Sequence, residues 1–81
     1  MSIFATDLRL RRELIRAIAA RLESQSLSNN QIAEQLSIAH PRAVDLRERR
    51  AERFSLDALV TLAERARLNV RLRATRPYKI R

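Results

Sequence analysis

The sequence has no cysteine, no glycine and no tryptophan, and it carries one methionine and a single histidine, His40. Each absence removes a class of chemistry. Without cysteine there is no disulfide framework, no thiolate zinc site and no cysteine nucleophile. Without glycine, neither the dinucleotide-binding nor the P-loop kind of phosphate loop can form, because both need glycines where the backbone meets phosphate. One histidine cannot build a multi-histidine metal site. No run of about 18 apolar residues occurs, so no membrane-spanning helix is expected. After Ile3, Phe4 and Ala5 charges begin at Asp7, unlike a signal peptide's apolar stretch, and the cytoplasm is the expected compartment. No paired carboxylates or nucleophile–base constellation stands out. The expectation is a binding module with no catalytic residues, no cofactor and no metal.

What is present is short and basic. The chain has 81 residues, enough for one domain spanning positions 1–81, with 17 Lys+Arg against 9 Asp+Glu and a net charge of +8. All of these cations are arginine except Lys79. The hydrophobic fraction of 46% is normal for a globular fold. A core this thin is commonly supplemented by dimerisation.

Hydrophobic periodicity predicts four helices. The first runs from about Thr6, with Thr6 or Asp7 as cap, to Ser24; Leu8, Leu14, Ile15, Ile18, Ala19 and Leu22 recur on one side, while Arg9, Arg12, Arg16 and Glu23 lie on the other. Ser28-Asn29-Asn30-Gln31 reads as a capping box that opens a second helix, ending near Ser37. After Ser37-Ile38-Ala39, Pro41 marks the first turn of a third helix that ends in the Arg47–Arg53 cluster. Ser55 caps a fourth, with Phe54 placed to staple onto Leu59, and Leu59, Leu62, Ala63 and Ala66 as its inner stripe. Residues 68–74 then alternate apolar and polar with period two, the pattern of a half-buried strand. The expected fold is mainly α, four helices with one C-terminal β-strand.

Two short helices joined by a tight turn, at about 28–47, outline a helix-turn-helix. Ala33 is small where the two helices must approach. Ile38, Ala43 and Leu46 are expected to point to the core, leaving His40, Arg42, Val44 and Arg47 on the outer side of the third helix.

The run Leu36-Ser37-Ile38-Ala39-His40-Pro41-Arg42-Ala43-Val44-Asp45-Leu46, followed by Phe54-Ser55-Leu56-Asp57-Ala58-Leu59, resembles the small Xre-type (lambda-repressor-like) regulators, including antitoxins of the HigA type. That resemblance covers most of the chain. It departs from the family pattern at Ser37 and Arg67, which replace glycines, at Ala39, which replaces a serine cap, and at His40 and Val44, which replace glutamine and serine. It implies a four-helix lambda-repressor-like domain whose third helix enters the major groove of double-stranded DNA.

On that footing His40, Arg42, Val44 and Arg47 are the base-contacting candidates. Arg42 can fork onto guanine or rest on phosphate, His40 can donate to a base or a phosphate, and Val44 can meet a thymine methyl or pack internally. Ser28, Asn29 and Gln31, at a helix N-terminus, and Arg49, Arg50 and Arg53, in the basic run, are the phosphate-contacting candidates. Glu48 and Glu52 interrupt that run, and Glu48 can pair with neighbouring arginines. The apolar positions Leu68, Val70, Leu72 and Ala74 of the strand (about 68–75) are candidates for a homodimer interface.

The function expected first is a sequence-specific transcriptional regulator, a repressor acting as a homodimer on a palindromic operator. The second is an antitoxin that neutralises a cognate toxin and regulates its own operon. An arginine-rich RNA- or ribosome-associated protein is a third reading. A membrane-surface role ranks last among binding roles, because the basic face of the first helix has no aromatic anchors.

Overall fold

The structure, a computed structural model, describes residues 3–68. Four α-helices follow one another: α1 (Ile3–Ser24), α2 (Asn29–Leu36), α3 (His40–Arg47) and α4 (Leu56–Arg65), with a 3₁₀ turn at Ala51–Arg53 between the last two. Helix α1 starts three residues earlier than its sequence suggests. No proline or glycine precedes Thr6, so nothing stops the helix there, and Asp7 spends its carboxylate on Arg11 one turn on, at 2.6 Å, instead of capping.

The other helix starts follow their caps. Ser28 accepts from the Gln31 amide while the Gln31 side chain accepts from the Ser28 amide, a reciprocal capping box. Ser55 accepts from the Ala58 amide at 3.1 Å. Ala39 has the backbone of an N-cap but no side chain to act as one.

Helix ends are more unusual. Ser37, Arg49 and Arg67 take φ values of 58°, 59° and 64°, the left-handed region. At each, the next residue's amide reaches back to a carbonyl of the last turn: Ile38 to Ala33, Arg50 to Asp45 and Leu68 to Ala63. This is the Schellman closure, which glycine makes at least cost. Ser26 (φ 56°) turns the chain after α1.

Ile15, Ile18 and Leu22 of α1, Ile32 and Leu36 of α2, Ala43 and Leu46 of α3, and Leu59, Leu62 and Ala63 of α4 bury together. Ala51 and Phe54 close the layer from the 3₁₀ connection, and Ile38 packs against it from the turn, as its spacing implies. Among the described residues there is no strand. The expected strand and its candidates Val70, Leu72 and Ala74 lie outside the described residues. Leu68, the one member inside them, is half-buried against the chain's own core.

Candidate nucleic-acid interface

Helices α2 and α3 are joined by Ser37-Ile38-Ala39, and the left-handed Ser37 sets the sharp change of direction. Ala43 and Leu46 are fully buried and fix the inner side of α3. The four candidates for base contact do not share one side: His40, Val44 and Arg47, at spacings of four and three, lie together, whereas Arg42, two residues from both His40 and Val44, lies round the helix from them. His40 and Arg47 are exposed, whereas Val44 and Arg42 are half-buried.

Arg42 is already engaged. Its guanidinium lies 4.1 Å from the Phe54 ring centroid and donates to the Arg53 carbonyl at 2.8 Å. Cation–π attraction and a charge-assisted hydrogen bond together tie the first turn of α3 to the connection that follows it. Arg47 reaches the other way, donating to Asn29 Oδ1 at 3.1 Å and to the Leu27 carbonyl at 3.5 Å, so it braces α3 against the start of α2. The phosphate candidate Asn29 is therefore an acceptor for Arg47, and Ser28 and Gln31 are occupied with each other.

The basic run does not continue α3. The helix stops at Arg47, and the left-handed Arg49 turns its side chain to α1, where it forks onto both Glu23 oxygens at 3.2 Å. The Arg49 guanidinium holds the Glu23 carboxyl below its ordinary value of 4.5, by hydrogen bonding first and by charge second. Arg50 pairs with Asp45 at 2.9 Å and with Glu48, and Arg53 lies 3.6 Å from the other Asp45 oxygen. Asp45 is the buried polar residue of the described chain, 7% exposed. Burial of a carboxylate costs several kcal/mol unless it is paired, and here two arginines pair it.

Sequence reasoning missed three of these partners. Glu23 meets Arg49 across 26 positions and Phe54 meets Arg42 across 12, so no local spacing signals either contact. Asp45 and Arg50 are five apart, off the helical repeat, because the helix has already ended. Glu48 lies past the end of α3, so it pairs with Arg50, two residues on, and not with an arginine along the helix as its sequence position suggests.

The geometry is thus two short helices at a tight turn, with α3 exposed along one side. The helix-turn-helix domain family matches residues 3–75. The chain belongs to this family. The match covers most of the sequence, including all four helices, and a helix-turn-helix domain is a DNA-binding regulator's fold. Among curated proteins and solved structures none matches the chain. Among the described residues of this helix-turn-helix domain, no helix is long and apolar enough to cross a membrane.

Proposed function

We propose that this domain is a sequence-specific reader of duplex DNA, a non-enzymatic repressor that binds a palindromic operator as a homodimer. The observation that carries the reading is the outer side of α3. His40 stands at its first position and Arg47 at its last, both exposed, with α2 braced behind. In helix-turn-helix docking the N-terminal residues of this helix meet base edges. His40 and Val44 are then the direct readers, and Arg47 reaches a base or phosphate by exchanging Asn29. Arg42 reads a base only by leaving Phe54. The capping box leaves the first-turn amides of Asn29 and Asn30 to an outside acceptor, a place for phosphate.

Selection from a pool of random duplexes at moderate salt tests this. The expected product is a palindrome with half-sites about one helical turn apart. A pool that enriches no motif would sink the sequence-specific reading. Sedimentation at tens of micromolar tests the dimer. The wild type should be dimeric, and a Val70→Asp, Leu72→Asp double variant monomeric, because the period-two apolar positions supply the interface. A monomeric wild type overturns it.

A second reading, the antitoxin, draws on Leu10, 36% exposed on α1 and two turns from the exposed Ala17. This side of α1 borders the core at Leu14, and the exposed Leu10 and Ala17 on it suit a protein partner. Co-purification with a small neighbouring-gene product that Leu10→Glu abolishes would support it; a Leu10→Glu chain that retains the partner would count against that surface.

A further inference from the structure

The arginines around the helix-turn-helix are spent within the protein, on Glu23, Asp45, Glu48, Asn29 and Phe54. Others cap carbonyls: Arg65 donates to Leu36, Arg21 to Ala66 and Arg11 to Phe54. What remains is concentrated on α1. Arg9, Arg12 and Arg16 are exposed and have no hydrogen-bond or ion-pair partner among the described residues. Successive spacings of three and four place them on one helical face, where like charges repel. Glu13 sits four residues after Arg9, the less favourable order for a helical pair, and pairs with neither Arg9 nor Arg16 among the described residues.

The face that carries this stripe is linked to the segment that follows α3. Glu23 follows Arg16 by two helical turns and Arg12 by three, so it shares their face, and Glu23 is where Arg49 is anchored after α3. The face that carries the stripe therefore leads, two turns beyond Arg16, to the anchor of Arg49, two residues past the end of α3. Arg9 to Arg16 covers about 10.5 Å at ~1.5 Å per residue. Phosphates of one strand rise ~3.4 Å each along a duplex, so this length matches about three of them.

We propose that Arg9, Arg12 and Arg16 form a second phosphate-binding surface, which grips the duplex backbone outside the segment read by α3. The proposal rests on the DNA-binding reading, but it concerns backbone and not bases. A polyanion there relieves the mutual repulsion of three cations, which the carboxylates of the fold leave unneutralised.

The test compares the full chain with an Arg9→Gln, Arg12→Gln, Arg16→Gln variant, by anisotropy titration from 50 to 200 mM salt. The probes are a random-sequence duplex and a selected duplex with long or trimmed flanks. At ~0.9 in slope per phosphate contact, the variant's plot of log affinity against log salt should be shallower by about 2–3. Across this salt range that is a loss of affinity about 15–60-fold smaller than the wild type's. Base preference should be unchanged, and trimming the flanks should produce the same shallowing in the wild type. Glutamine retains helix propensity, and Arg12→Gln alone, expected to lower the slope by about 0.9, covers the case in which the triple variant misfolds. Equal slopes for wild type and variants overturn the proposal, and assign the stripe to solvent or to an acidic protein. If no duplex is preferred but the slopes differ, the sequence-specific reading fails while the stripe stands. If a motif is selected and the slopes agree, the stripe alone fails.

Discussion

Ser37 and Arg67 occupy backbone positions that suit glycine, with φ of 58° and 64°, in a chain that contains no glycine at all. A Cβ in the left-handed region meets the following carbonyl, at a cost of roughly 1–2 kcal/mol. Glycine removes that clash but loses more backbone freedom on folding, so the net gain is smaller. Neither residue's side chain makes a hydrogen bond among the described residues, so little is lost with it. Ser37→Gly and Arg67→Gly should each stabilise the domain by about 0.5–1 kcal/mol, raising the melting temperature by roughly 3–6 °C. Calorimetry checks this, and a melting point that falls in both variants would show that the left-handed geometry carries no strain. Arg49 has the same backbone geometry but anchors Glu23, so its replacement by glycine mixes a gain with a loss. The sequence shows only that glycine is missing. That these positions keep a left-handed backbone without it follows from the carbonyls that Ile38, Arg50 and Leu68 close.

At the scale of elements, α3 and the connection after it are held as one piece by Asp45. Removing Arg50 leaves the Asp45 carboxylate, 7% exposed, with Arg53 at 3.6 Å as its other cation. Removing Arg53 leaves the closer 2.9 Å contact in place. A buried acceptor left without its hydrogen bond costs about 1–3 kcal/mol, whereas the longer contact to the exposed Arg53 is worth about 0–1. Arg50→Ala should therefore destabilise by about 1–3 kcal/mol and Arg53→Ala by less than about 1. Urea unfolding that ranks them in the opposite order would show that Arg53 is the true partner. Such long-range pairs explain what the sequence conceals. The helices were legible because caps and apolar spacing are local: the Ser28–Gln31 box, Ser55, and the buried Ile15, Ile18 and Leu22 all stand where periodicity puts them. The start of α1 was not, because Thr6 and Asp7 carry a cap's chemistry inside a stretch with nothing to end the helix. The inner side of α3 was legible from Ala43 and Leu46, which face the core. The employment of its arginines was not. Arg42 looks like a free base reader, and Arg49 and Arg50 like part of a phosphate-contacting run, until the chain brings Phe54, Glu23 and Asp45 to them.

Over the whole molecule, the fold and a polyanion compete for the same arginines. Five of the 17 cations and none of the nine acids lie beyond Leu68, so the described body holds its cations against all nine acids. Glu23 is the clearest point of competition, since its fork with Arg49 joins α1 to the end of α3 on the side that carries the exposed stripe. Glu23→Gln should move stability and DNA affinity in opposite directions. Arg49 lowers the folded-state pKa of Glu23, so the pair's stabilisation is fully present above 4.5 and is lost as pH falls through the lower folded value. The urea midpoints of wild type and variant should differ at neutral pH and converge below pH 4.5. High salt should shrink the gap as well, because the pair is exposed. For duplex binding the sign reverses. The variant leaves Arg49 free to neutralise one more phosphate, so affinity at low salt should rise and the salt slope should steepen by about 0.9. A variant less stable at neutral pH but no tighter on duplex DNA would mean that Arg49 points away from the phosphates, and its role would then be confined to joining α1 and α3.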